Sequence, residues 1–462
     1  MMHVAEAALA LGVEHRGGNP LFTAVGSDSR NVRPGELFVA LRGEHFDAHQ
    51  YLAAAQAAGA VAVMADVAGA VHAPPSLPLI TVNDTHQGLT QLAYAWRSRF
   101  SGPLLALTGS SGKTTVKEML AAILRAAAND GDDAVLATRG NLNNEIGVPL
   151  TLLELRATHR CAVLELGMNH AGEISRLTHL ARPDVALINN AGRAHIEYLG
   201  SEQAIARAKG EIFEGLSASG IAVLNADDAH APLWRELCSK NKCLQFGLEN
   251  DADVSARYEL HALASDLHLT TPAGALSVSL NAPGLHNVRN ALAAVSAALA
   301  LEVPLAAIAA GLARYSGVQG RLQRKAAQCG ATLIDDTYNA NPESMRAAID
   351  VLAQAPGRRV LVLGDMGELG ARAAACHAEV GAYARQVAPA GIERLYALGD
   401  MSAHMVAAFG AGARHFATIE DLLNALRGTL ACEVTVLVKG SRFMHMERVV
   451  EALVAAPGAG HA

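Results

Sequence analysis

The sequence predicts an α/β chain in three parts: a small α/β N-terminal domain over residues 1–82, a central domain over 83–316 built on a parallel sheet, and a C-terminal domain over 317–462 built on a second parallel sheet. Three observations predict it. At 462 residues the chain exceeds one typical domain. Apolar runs of strand length alternate with segments whose apolar residues recur at helical spacing, as in parallel sheets covered by helices. From about Gly317 the alternation restarts, with four further apolar runs that end in polar or glycine-containing turns.

Composition narrows the class. Hydrophobic residues are 51% and charged residues 18%, which suits a globular chain with an ample core. A formal net charge of -7 argues against a nucleic-acid partner held by bulk electrostatics. No apolar run approaches a membrane span. The start, Met1-Met2-His3-Val4-Ala5-Glu6, lacks the charged and apolar regions of a signal peptide. Of the six cysteines only Cys238 and Cys243 are close in sequence, and no second pair completes a metal site. Reduced thiols and a cytoplasmic protein are expected.

In the first part, 36–41, 60–64 and 79–82 read as strands and 48–58 as an alanine-rich helix. Two polar clusters interrupt them, Ser27-Asp28-Ser29-Arg30 and Arg42-Gly43-Glu44-His45-Phe46-Asp47. They read as turn chemistry, or as a nucleotide or sugar pocket at strand ends to which Ser29, Arg30 and Arg42 would contribute.

The central part is organised around Leu104-Leu105-Ala106-Leu107-Thr108-Gly109-Ser110-Ser111-Gly112-Lys113-Thr114-Thr115. A buried strand enters a glycine-bounded turn, after which Val116, Met119, Leu120, Ile123 and Leu124 recur at helical spacing. Strand, glycine turn and helix form a phosphate-binding arrangement. Gly109 and Gly112 let backbone N–H groups approach phosphate oxygens, and the helix N-terminus adds partial positive charge. Lys113 can reach the terminal phosphates and the Thr114 hydroxyl can hold Mg²⁺, so ATP is expected on the loop from Gly109 to Thr115. Only Ser110 and Ser111 separate the two glycines where the general pattern has four residues, which argues against a generic kinase loop.

Glu165 lies where the buried strand expected over 161–167 emerges, and a carboxylate there in a phosphate-loop fold commonly serves Mg²⁺ directly or through water. The run 185–190 leads into Gly192-Arg193-Ala194-His195, so Lys113, Glu165 and His195 fall at strand ends along one edge of a parallel sheet. By position alone His195 also reads as a surface loop residue. Lys209, on a helix expected over 201–216, reads as a solvated lysine. A strand over 221–228, an alternating antiparallel region over 252–280 and an alanine-rich helix opened by His286-Asn287-Val288-Arg289-Asn290 complete this part. In the last part the runs 332–336, 360–365, 395–400 and 434–441 give a Rossmann-like sheet, whose first turn lacks the GxGxxG of an NAD site.

Taken together these motifs resemble the Mur ligase family, ATP-dependent ligases of peptidoglycan precursors, over nearly the whole chain. The shortened phosphate loop, Glu165-Leu166-Gly167, the His195 loop, Lys209, His286-Asn287-Val288-Arg289-Asn290, Gly320-Arg321 and Asp336 fall in the family's order. The stretches 141–147, 334–345 and 363–370 resemble the branch that joins D-alanyl-D-alanine to UDP-N-acetylmuramoyl-tripeptide. The Asp-Asn-Pro-Arg acceptor motif of the branch that adds the third amino acid is missing. Asp47-Ala48-His49 departs from the family's Asp-Gly-His.

The resemblance implies that ATP sits between the central and C-terminal domains. It implies that Lys113 and Mg²⁺ on Thr114 and Glu165 serve the phosphates. His195 would hold a second Mg²⁺, and Lys209 would be carbamylated. Asn290, Arg321 and Asp336 would contact adenine, phosphate and ribose. On the substrate side it implies Ser29, Arg30, Arg42 and Asn144, with Asn339, Asn341 and Lys439 toward the acceptor. The reaction would run through an acyl phosphate, in a monomer. The competing readings are folylpolyglutamate synthase or another Mur ligase, a phosphate-loop kinase or NTPase, and a non-catalytic nucleotide-binding scaffold.

Overall fold

Leu104–Thr108 is an interior strand of an all-parallel six-stranded sheet, whose order, by first residue of each strand, is 242, 221, 185, 104, 161, 135. Its side chains alternate between two cores. Leu105 and Leu107 pack with Val116, Met119 and Leu120 of the helix Lys113–Ala128, while Leu104 and Ala106 pack with Leu164 and Ile188 on the other face. A strand buried on both faces reads as a continuous apolar run, which is why this one was legible. The chain places its next sheet neighbours on opposite sides, Cys161–Glu165 on one and Val185–Ile188 on the other, so the carboxyl end of Leu104–Thr108 opens a crevice at a topological switch point.

The computed structural model describes residues 1–128, 131–262, 264–387 and 391–454. The C-terminal part expected over 317–462 therefore includes residues 388–390 and 455–462 that lie outside the described ones. Among the described residues no helix is long and apolar enough to cross a membrane.

The first part carries a five-stranded sheet in the order 15, 79, 62, 36, 24, parallel except at the 15/79 pairing. The helix expected over 48–58 is a 3₁₀ turn, Ala48–Tyr51, followed by a short helix, Leu52–Ala57. Asp47 begins the turn by accepting from the His49 amide. The last part carries a six-stranded sheet in the order 323, 332, 434, 358, 392, 413, in which only the edge strand Gln323–Ala326 is antiparallel. Beside the central sheet, Ser255–Leu260, Ser265–Thr271 and Gly274–Leu280 form the expected antiparallel region, with Leu267 and Leu269 turned into the core and His268 and Thr270 outward. The 201–216 helix is Glu202–Gly210, opened by the Ser201 hydroxyl accepting from Ala204 N, and it continues as the 3₁₀ segment Glu211–Gly215. One apolar cluster runs through all three parts, including Leu37, Leu104 and Ile334.

Candidate active site

The phosphate loop is held by asparagines at the end of the neighbouring strand. Ser110 N donates to Asn190 O at 3.0 Å and Ser111 N to Asn190 Oδ1 at 2.8 Å. Asn189 Nδ2 donates to Ser111 O at 3.0 Å and to Asn290 Oδ1 at 2.9 Å. Gly112 has φ +78°, and a Cβ there would stand 2.3 Å from Asn290 Oδ1, so another residue would be strained in conformation and would displace the Asn290 amide. Lys113, the first residue of its helix, donates to Gly109 O at 2.8 Å. Burial pushes the Lys113 ammonium below the ordinary lysine pKa, and the Glu165 carboxylate pulls it back up.

Thr114 Oγ1 donates to Glu165 Oε2 at 2.9 Å, and Asn143 Nδ2 donates to the other carboxylate oxygen at 2.8 Å. Glu165 is buried at the end of its strand. This hydroxyl–carboxylate pair, beside the loop that would cradle phosphates, suits Mg²⁺, which takes one or two carboxylates and completes its shell with phosphate and water. Among the described residues no three His, Cys, Asp or Glu side chains group as a metal cage. Asn144, the substrate candidate of this stretch, is exposed, and its Oδ1 accepts from Ile146 N and Gly147 N at the start of the helix Gly147–Leu153. Its neighbour Asn143 is the one that touches Glu165.

The C-terminal part closes the opposite wall. Arg321 Nη2 donates to Thr114 Oγ1 at 3.0 Å while its guanidinium lies 4.3 Å from the centre of the Tyr338 ring. Asp336 is buried against Lys439, whose Nζ is 2.7 Å from Asp336 Oδ2 and also donates to Asn339 O at 2.8 Å. Burial raises the Asp336 pKa and Lys439 opposes it. Asn341 caps the helix Pro342–Gln354 by accepting from Ser344 N, and its Nδ2 reaches Ser111 Oγ at 3.1 Å. His286 lines the same cleft, and burial, Lys439 and Arg289 hold its pKa down at about 4.

His195, in the left-handed region at φ +66°, places Nδ1 2.7 Å from Glu368 Oε2 of the C-terminal part. Arg193, two residues before it, is clamped by Glu343 and Glu379 at 2.7 Å each. Lys209 is not a solvated lysine: it is 1% exposed, and its side chain has no hydrogen-bond or ion-pair partner among the described residues. Helical spacing alone did not reveal that Trp234, donating to Ala206 O at 2.9 Å, covers this helix. Desolvation drives the Lys209 pKa well below the ordinary value, with Lys113 adding to the shift.

These residues line one cleft of about 1940 Å³ between the central and C-terminal parts, reaching from Ser110 and Lys113 through Glu165, His195 and Asn290 to Arg321, Asp336, Asn341 and Lys439. Lys209 stands behind its wall. Ser29, Arg30 and Arg42 are elsewhere, on the first part. Arg30 is exposed and paired with Asp28 at 2.9 Å, and Arg42 spans Asp47 at 2.6 Å and Asp66 at 3.1 Å. Turn chemistry accounts for the Arg30–Asp28 and Arg42–Asp47 contacts, whereas Arg42–Asp66 ties that turn to the end of the strand Ala62–Asp66. Asn143, Asn189, Asn190, Arg193 and Glu368 were not singled out from sequence; Asn143 and Glu368 lie within the stretches 141–147 and 363–370 that had carried the resemblance.

Three family models match the chain: "Mur ligase family, catalytic domain" over 21–97, "Mur ligase middle domain" over 107–298, and "Mur ligase, glutamate ligase domain" over 320–442. The chain is 44% identical over 446 residues to the UDP-N-acetylmuramoyl-tripeptide--D-alanyl-D-alanine ligase of Escherichia coli (strain K12), covering 95% of each. Among solved structures it superposes on MurF from Acinetobacter baumannii with a TM-score of 0.88 at 37% identity, covering 97% of this chain and 98% of that one. On the Thermotoga maritima MurF ligase in complex with ADP the TM-score is 0.80 at 29% identity, covering 94% and 97%.

Proposed function

The chain belongs to the Mur ligase family, and from that premise we infer that it is the family's MurF-type, ATP-dependent carbon–nitrogen ligase, joining D-alanyl-D-alanine to UDP-N-acetylmuramoyl-tripeptide for peptidoglycan synthesis. The observation that carries the reading is the convergence of Lys113, Thr114 and Glu165 from the central sheet with Arg321 from the C-terminal sheet in one cleft. The tripeptide carboxylate attacks the γ-phosphorus of ATP, giving an acyl phosphate and ADP. The dipeptide amine then attacks the acyl carbon, loses a proton, and expels phosphate. Two anions must meet in the first step, so cations placed before the reaction are the main source of acceleration. Lys113 and Arg321 supply two of them from opposite walls. Mg²⁺, held by Thr114 and Glu165 when bound, supplies further positive charge to the phosphates.

The finer assignments follow the same logic. The three sheets correspond to a UDP-sugar domain over 1–82, an ATP domain over 83–316 and an acceptor domain over 317–462. Asn290 and Asp336 flank the nucleotide as adenine and ribose contacts, and Ser29, Arg30, Arg42 and Asn144 serve the UDP-sugar peptide. Asn339, Asn341 and Lys439 face the incoming dipeptide. His195 serves a second Mg²⁺. Lys209 is carbamylated: its neutral amine adds to the carbon of CO₂ and releases a proton, turning an unpartnered buried base into a carboxylate. The enzyme works as a monomer in the cytoplasm.

ADP release with a panel of UDP-peptides and acceptors tests the reading. UDP-MurNAc-tripeptide with D-Ala-D-Ala is the expected pair. It should exceed single amino acids by as much as ~10⁴ in kcat/KM, because groups placed to hydrogen-bond a peptide unit are left unpaired by an acceptor that lacks one. A better rate with UDP-dipeptide and one L-amino acid, or with folate and glutamate, would overturn it.

A further inference from the structure

His195 and Glu368 face each other across the boundary between the central and C-terminal domains, and both hold left-handed backbone conformations, at φ +66° and +61°. Residues other than glycine keep such conformations where the surrounding structure enforces them, and they concentrate at functional sites. The enforcement here comes from both sides of the boundary. Arg193 is clamped by Glu343 and Glu379, and Glu197 N donates to Glu368 O at 3.3 Å. Nδ1 of His195 stands 2.7 Å from the Glu368 carboxylate, which leaves Nε2 as the ring nitrogen for the cleft that His195 lines.

We propose that Glu368 is a positioning residue for the ligase reaction: it fixes the His195 ring with Nε2 toward the phosphate end of the cleft, so the histidine is competent only while the C-terminal domain is docked. This rests on the ATP-ligase reading above. A carboxylate on the far nitrogen of a metal-facing histidine sets its tautomer and orientation, and losing such a partner typically costs about 10–100-fold in metal affinity or activity.

The experiment compares wild type with Glu368→Gln, which keeps the shape and removes the charge, and Glu368→Asp, which keeps the charge. Steady-state ADP release and calorimetric titration of Mg²⁺ into enzyme saturated with a non-hydrolysable ATP analogue are measured on each. Glu368→Gln should lose about 10–100-fold in kcat and in Mg²⁺ affinity, with KM for the UDP-peptide and the dipeptide unchanged and Glu368→Asp partly restored. Wild-type Mg²⁺ affinity and kcat in a Glu368→Gln protein that melts normally overturns the proposal, as does a change confined to KM for the dipeptide. The titration uses neither peptide substrate. Weakened Mg²⁺ binding therefore supports the role of Glu368 even where the substrate assignment fails, and unchanged binding removes that role while leaving the ligase reading in place.

Discussion

Arg321 and Thr114 are 207 residues apart in the chain and 3.0 Å apart in the cleft, the guanidinium of the C-terminal domain donating to the hydroxyl that follows Lys113. One side chain thus joins the two walls of the cleft proposed above to hold ATP. Arg321→Ala should lower kcat/KM for ATP by about 10²-fold, the order seen when one preorganised charge-stabilising donor is removed. Arg321→Lys should recover little, since lysine lacks the planar group that stacks on Tyr338. Lys113→Ala should lose about 10²–10³ in kcat. Initial rates of ADP release against ATP concentration measure all three, and near-wild-type turnover in a folded Lys113→Ala protein would remove the phosphate-loop assignment.

Lys209 should carry the mass of one added CO₂ when spectra are recorded under bicarbonate, and lose it after acidification. Lys209→Ala should be nearly inactive and partly rescued by short carboxylic acids. An unmodified lysine in fully active enzyme, or an active Lys209→Ala variant without rescue, would refute the carbamate.

Asn341 has two jobs that separate cleanly. As the cap of Pro342–Gln354 it contributes about 1 kcal/mol, which Asn341→Ala should remove from the unfolding free energy in urea. Asn341→Asp keeps the capping oxygen but loses the amide that reaches Ser111, so it should restore stability without restoring kcat/KM for the dipeptide. Equal recovery of both by Asn341→Asp would confine the residue to its cap.

His286 gives a pH signature. Its folded pKa is held at about 4, first by burial and then by Lys439 and Arg289, against 6.5 when free. Between those values the unfolded chain binds a proton that the folded one refuses. Stability from this group is therefore fully present above pH 6.5 and lost as pH falls toward 4. His286→Gln should flatten that acid limb, as read from urea midpoints at pH 7 and pH 5. Identical pH slopes in the two proteins would exclude His286 as the titrating group.

Every interior strand of the three large sheets was legible in the sequence, and none of their edge strands was. Leu79–Val82, Leu104–Thr108 and Val434–Lys439 are covered on both faces and read as runs of mainly apolar residues with threonine among them. The edges His15–Arg16, Ala24–Gly26, Val135–Ala137, Lys242–Phe246, Gln323–Ala326 and Ala413–Phe416 are short, polar or half-exposed, and carry little periodic signal. The site divides in the same way. Lys113, Thr114 and Glu165 announce themselves because a local motif or a strand end fixes their place. Asn143 and Glu368 depend on contacts with partners 22 and 173 residues away respectively, Glu165 and His195, which no local pattern encodes.

The poor legibility of those edges has a physical counterpart. A sheet end offers unpaired N–H and C=O groups to any passing strand, and charge or brevity spoils the template. Arg16, Lys242, Arg324 with Lys325, and Arg414 with His415 place charge or a titratable ring on four of the six ends. The other two, Ala24–Gly26 and Val135–Ala137, are three residues long. A chain with three sheets therefore carries, in the residues of its own margins, a resistance to growing into edge-to-edge fibres.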